Sequence, residues 1–328
     1  MQERAFWPQI KKHPFYNDKI NLLVVELIMK KYRVYQVDAF TTERFKGNPA
    51  GVVPDAEGLS DDQMQGVARE LNNSETAFIF PPSAADHDVW VRFFTPIREV
   101  PSCGHATVSA HYVLALESDT PSRSLVQKTG AGLLPVEVIR ENGDYRIIMT
   151  QGAIEFGEPL LHKDRMEILK ALGLLASDMN EDCPLQIVST GHSKVLVGIK
   201  NRARLNSLNP NLAALTEISK STGCNGYFVF TLDSHSPDIL ALGRMFAPAI
   251  GIPEDPVTGK ANGPLGAYLA QHRLASPVGG VLSFTALQGE AMGRPGSVEV
   301  AVDLEGGGPK SVRVGGRAVV AFKTTIEF

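Results

Sequence analysis

Arg92-Phe93-Phe94-Thr95-Pro96, followed by Val100-Pro101-Ser102-Cys103, returns later as Arg244-Met245-Phe246-Ala247-Pro248, followed by Ile252-Pro253-Glu254-Asp255. At one constant spacing and without a gap, the Arg, a Phe and both Pro recur, and the neighbouring apolar positions match in kind. The same spacing sets Asn73-Ser74-Glu75-Thr76-Ala77-Phe78 opposite Asn225-Gly226-Tyr227-Phe228-Val229-Phe230. Self-similarity at a fixed spacing marks duplicated units. Only two copies fit, so the expected architecture is a pair of similar α/β domains and not a solenoid.

Around these anchors each copy has the same order: strand, Gly/Asn turn, helix, strand, strand, Pro-rich turn, helix. In the first copy, strands are expected at 32–40, 50–53, 77–80 and 89–94. A helix over 60–71 is opened by Ser60, with Gln63 at the capping-box position. A helix of small residues follows over 104–116, then strands at 124–127, 134–140 and 145–150. The second copy gives strands at 185–189, 194–199, 226–230 and 242–246, with helices over 212–219 and 260–272. The last strand, 318–328, has no place in its own half and is expected to cross back to the first domain. The expected division is an extension over 1–31, one domain over 32–148 plus 317–328, and a second over 149–316.

Composition limits the function classes. The chain has 328 residues, 43% of them hydrophobic and 21% charged, enough for large cores. Net charge is −4 with both signs scattered, which disfavours nucleic-acid binding. Three cysteines make neither a disulfide framework nor a closed zinc site, and the odd number fits a cytoplasmic protein. The apolar run 20–29 is too short to span a membrane. Walker, dinucleotide-binding, zinc-protease and nucleophile-elbow motifs are absent, so neither a cofactor nor a metal is expected.

The chemistry concentrates at the two Pro-rich turns, Pro101-Ser102-Cys103-Gly104-His105 and Glu254-Asp255-Pro256-Val257-Thr258-Gly259-Lys260. Each enters a helix at its amino end, where free N–H groups and the dipole receive an anion. If the copies face each other, both ends point into one cleft that would take a small carboxylate. Glu75, at the entrance of an apolar strand, is placed to be partly desolvated and to act as general acid/base. At constant spacing Cys103 falls opposite Asp255, which leaves open a two-base racemase using that pair. A binding protein without turnover is the non-enzymatic alternative.

Val37-Asp38-Ala39-Phe40, Gly47-Asn48-Pro49, Ser74-Glu75-Thr76, Cys103-Gly104-His105-Ala106-Thr107 and Glu254-Asp255-Pro256-Val257-Thr258-Gly259 together resemble the PhzF-like family, in particular its YddE-type members. The resemblance runs from about Tyr32 to the carboxyl end. It implies the diaminopimelate-epimerase fold, two pseudo-symmetric domains each with a curved sheet around a central helix, and a cofactor-independent isomerase. It implies catalytic roles for Glu75, His105 and Asp255, and substrate-binding roles for Asn48, Gly104 and Gly259. A homodimer is a further expectation. The chain departs from the family at Cys103, where the family has alanine, and at Lys260, where it has serine. Both are expected in the site wall, with Lys260 available to a second acidic group of the substrate.

Overall fold

The computed structural model describes residues 29–158 and 160–328. Residues 1–28 of the expected extension lie outside them. The first copy runs β1 (Lys31–Ala39), β2 (Asn48–Val53), α1 (Asp61–Leu71), β3 (Thr76–Phe80), β4 (Val89–Phe94) and β5 (Glu99–Val100). It continues through α2 (Gly104–Ser118), β6 (Arg123–Thr129), β7 (Gly132–Glu141) and β8 (Asp144–Thr150). The second copy opens with β9 (Glu155–Phe156), α3 (His162–Leu172), β10 (Gln186–Ser189), β11 (Lys194–Ile199), α4 (Arg202–Asn206) and α5 (Leu212–Thr222). It then follows β12 (Tyr227–Thr231), β13 (Ala241–Ala247), β14 (Ile252–Asp255), α6 (Gly259–Gln271), β15 (Val281–Gln288), β16 (Gly296–Glu305) and β17 (Gly308–Glu327). The capping box of α1 forms as expected, with Ser60 and Gln63 satisfying each other's backbone N–H.

Strand pairing closes the first unit around α2. β1 pairs with β2, β2 with β3 in parallel, β3 with β4, and β4 with β6 in parallel. β6, β7 and β8 then pair in turn, and β17 joins β8 back to β1. The second unit repeats these steps from β10 to β17 around α6. A helix enclosed by sheet must be apolar all round. α2 meets this with small and β-branched residues, and its residues Gly104 to Val113 are all buried.

β17 is the seam. Its start pairs with β16, Arg313–Arg317 with β8, and Ala318–Glu327 with β1, so the last strand does cross back. Gly315 makes this possible: a Cβ there would lie 2.6 Å from the Ile147 carbonyl oxygen of β8. Phe40 bolts the seam to the site. It holds φ 63, a costly conformation for a bulky residue, and its ring packs beside Gly259 and Gly316.

Helix α3 and the hairpin β15–β16 were not expected from sequence. Leu161 opens α3 without a side-chain cap, so it carries no start signal.

Candidate active site

Glu75 stands between α1 and β3. Asn72 ends the helix in the left-handed conformation, and Gln36 and Asn73 exchange two amide hydrogen bonds of 2.8 Å that tie the turn to β1. The Glu75 side chain is 14% exposed, and its Oε2 lies 3.4 Å from His105 Nε2. His105 belongs to the first turn of α2. Its Nε2 is 3.2 Å from Ser74 Oγ, and its Nδ1 is 3.4 Å from Cys103 Sγ.

In the second copy, Asp255 ends β14. Its Oδ1 accepts from Asn48 Nδ2 at 2.7 Å, and its Oδ2 accepts from the Thr258 hydroxyl. Burial raises the Asp255 carboxyl, and the Glu75 carboxylate adds to this. His105 and the bonds from Thr258 and Asn48 oppose it. Gln288 fixes the turn, accepting from Thr258 N and donating to the Asp255 carbonyl oxygen. Asn48 is itself held by a clamp between the two units: Arg294 donates to Asp38 at 2.6 Å and to the Gly47 carbonyl oxygen at 3.0 Å.

Lys260 Nζ reaches over to Ser102 Oγ at 2.5 Å, and its stem faces Gly104. The two helix starts therefore meet. Among the described residues neither helix carries a side-chain cap, so the first-turn amides at Gly104–His105 and Gly259–Lys260 remain available to an anion. Burial, followed by the Glu75 carboxylate, pushes the Cys103 thiol well above its usual value; the Ala106 amide and Lys260 oppose this. The helix end thus does not make it a thiolate. Glu75, Cys103 and His105 offer donor atoms within 4.8 Å of one another, a spacing that could hold a divalent ion. Such a ligand set would first have to deprotonate that buried thiol. A hollow of about 730 Å³ lined by Arg146, Phe284, Glu299 and Arg313 includes none of these groups.

The backbone corrects the register of the repeat. Gly51 N–H donates to the Glu75 carbonyl oxygen, and Val195 N–H donates to that of Gly226. Glu75 is therefore matched by Gly226, not by Tyr227. Cys103 and Thr258 are the two N-caps, so Cys103 is matched by Thr258 and not by Asp255. His105 and Lys260 are both the second residue of their helix. The bidentate pair Arg92–Glu99 is matched by Arg244–Glu254, where the constant spacing would give Ser102 for Glu254. Longer turns in the second copy displace the register after Pro248, which a gap-free comparison cannot see.

Two residues near these groups were not singled out from sequence. His192 stands three residues before Val195, as Asn48 stands three before Gly51, and is thus the counterpart of Asn48. Lys194 is 4% exposed at the start of β11. The turn Gly191-His192, matching Gly47-Asn48, was the available signal.

Residues 37–324 match the profile of phenazine biosynthesis-like proteins, PhzC-PhzF. An uncharacterised isomerase of Clostridium acetobutylicum is 55% identical, covering 91% of this chain and 99% of its own. The uncharacterised isomerase YddE of Escherichia coli is 47% identical over 89% of this chain and 97% of its own. The trans-2,3-dihydro-3-hydroxyanthranilate isomerase of Pseudomonas aeruginosa is 33% identical, over 87% and 95%. Among solved structures, a PhzF-family phenazine biosynthesis protein of Bacillus anthracis superposes with TM-score 0.82 at 30% identity, over 90% and 99%. A hydroxyproline epimerase of Agrobacterium vitis shares the fold alone, with TM-score 0.59 at 13% identity over 91% and 93%. With its two sheet-wrapped helices and the motifs above, the chain belongs to the phenazine biosynthesis-like, PhzF-like family, and it is an isomerase.

Proposed function

We propose that the chain moves a proton on a small carboxylate or amino-acid-like substrate without a cofactor, with Glu75 as the acid/base. The cleft lies between two units, 32–148 with 317–328 and 149–316. The substrate carboxylate sits at the helix starts, on amides of Gly104, His105, Gly259 and Lys260. Glu75 takes a proton from carbon, and the electron pair spreads into the conjugated system beside the carboxylate. The protonated Glu75 then returns the proton to another carbon on the same face. His105 holds the Glu75 carboxylate at 3.4 Å, while Asn48 and Thr258 hold Asp255, which receives a cationic or hydroxyl group of the substrate.

One observation carries the reading: Glu75 lies near two uncapped helix starts and has glycine at its counterpart. A Cβ at Gly226 would lie 2.7 Å from the Phe246 carbonyl oxygen, so no second base fits there. A single base serves one face, which favours isomerisation over inversion of a stereocentre. Cys103, a raised thiol, forms the wall. Glu75→Gln should reduce turnover about a hundredfold or more while the fold is kept. Turnover within a few-fold of wild type would sink the assignment.

A further inference from the structure

Lys194 is 4% exposed, and Lys260 is partly buried beside it. Among the described residues neither ammonium lies within ion-pair distance of a carboxylate. Lys194 donates to the Ser193 carbonyl oxygen at 3.2 Å, and Lys260 to the hydroxyl and carbonyl oxygen of Ser102. The nearby carboxylates are engaged: Asp255 accepts from Asn48 and Thr258, and Glu75 faces His105. A buried ammonium without a counter-charge is costly, and an anionic ligand would supply the missing charge here.

His192 is the third member. It is half-buried, and its ring makes no hydrogen bond in the described structure. The groups around Lys194 are Lys260 from α6, Asp255 from β14, Cys224 before β12, and His192 and Ser193 from its own loop. Burial, then the repulsion of Lys260, lowers Lys194 to about 8; burial and both lysines lower His192 to about 4. Burial lowers Lys260 as well, opposed by Cys103 and Glu75, so at neutral pH the cluster presents the Lys194 ammonium, a neutral imidazole and a second, partly buried lysine that an anion would hold charged. Two of the three counterparts in the first copy cannot carry charge, Asn48 for His192 and Ala50 for Lys194, while the counterpart of Lys260 is His105. Duplication alone does not account for these charges.

We propose that His192, Lys194 and Lys260 form a second anion subsite beside the helix starts, and that the substrate is dianionic. Its second group is a carboxylate or a phosphoryl-type group, reached from the carboxylate that the helix amides hold. This rests on reading the cleft as the substrate site, and it adds what the substrate must carry.

The test is calorimetric binding of butyrate, glutarate and 3-phosphonopropionate to the full chain, with Glu75→Gln alongside. Glutarate or 3-phosphonopropionate should bind at least tenfold tighter than butyrate to both proteins, and the preferred one of the two identifies the second group. Lys194→Met should erase that preference and change butyrate affinity less than threefold; Lys194→Arg should restore part of it. Should Lys194→Met not fold, Lys260→Ser is to show the same loss. The preference should also weaken between pH 7 and 9 as Lys194 loses its proton, with uptake of protons on binding near pH 8. Equal affinities for the three probes, or a preference that survives Lys194→Met and Lys260→Ser, would overturn the subsite. A dianion preference in a protein that moves no proton would leave the subsite standing and sink the isomerisation reading instead.

Discussion

The two halves share a scaffold and differ at most positions around the candidate site, the helix-start glycines Gly104 and Gly259 being alike. Where the first half has Glu75, Cys103, His105 and Asn48, the second has Gly226, Thr258, Lys260 and His192. The scaffold was kept: in both, an Arg grips a Glu with two bonds of 2.7–2.8 Å and stacks on a Phe, Arg92 over Phe94 at 5.1 Å and Arg244 over Phe246 at 5.0 Å. The site was not. In the proposed reading the first half supplies the base Glu75, and the second supplies the lysines that would hold a second negative charge. A duplicated fold can divide its labour when the support of each side chain, rather than its chemistry, is what folding fixes.

The shared Arg–Glu pair gives the largest test. Arg244 is 8% exposed and also donates to the carbonyl oxygens of Leu205 and Leu208, whereas Arg92 is 15% exposed and its partners Glu99 and Asp61 are 43% and 75% exposed. Arg244→Ala should cost about 3–5 kcal/mol by stranding a carboxylate that is only 17% exposed, together with the buried carbonyl oxygens of Leu205 and Leu208. Arg92→Ala should cost about 1 kcal/mol. Urea midpoints of the two variants measure this. Equal losses would mean that the two copies are not differently buried.

Lys194 sharpens the comparison at the next level. Its ammonium has a pKa of about 8 in the folded chain against 10.5 for a free lysine, so folding carries a charge penalty that is full below pH 8. The penalty fades as pH rises from 8 to 10.5, where the unfolded chain still holds the proton and the folded one does not. Lys194→Met should therefore stabilise the unliganded protein by about 3 kcal/mol at pH 7, with little gain at pH 10.5. Thermal unfolding across that range decides it. A loss of stability, or a gain that ignores pH, would show that Lys194 serves the fold and not a ligand.

Cys103 gives the smallest effect. As a protonated thiol in the wall it can be replaced by alanine with turnover kept within about tenfold, near 1.4 kcal/mol in barrier. A dead Cys103→Ala enzyme with a folded spectrum would restore it as a base.

Much of the fold was legible because local signals were strong. Ser60 and Gln63 announce a helix start, and the strands 89–94 and 194–199 stand where alternating or continuous apolar residues put them. The crossing of β17 was legible from a strand with no partner in its own half. The site was legible where a motif lies on a helix start, as with His105 and Lys260, and at Glu75. It was not legible where register matters. Turns of unequal length between β13 and β14, and around β10–β12, set the true counterparts, and no single constant spacing gives both Gly226 for Glu75 and Thr258 for Cys103. Lys194 reads from sequence as an ordinary strand-start lysine. Only its burial beside Lys260 makes it informative.

The central claim is that one base, Glu75, takes and returns the proton. It is tested most directly by following hydrogen through turnover of a true substrate in heavy water. A single carboxyl group shuttling on one face should leave part of the substrate's own hydrogen in the product at early times, with deuterium also entering recovered substrate, and both signals should vanish in Glu75→Gln. Product fully deuterated from the first turnover, with unlabelled recovered substrate, would be the mark of two bases on opposite faces and would contradict the account.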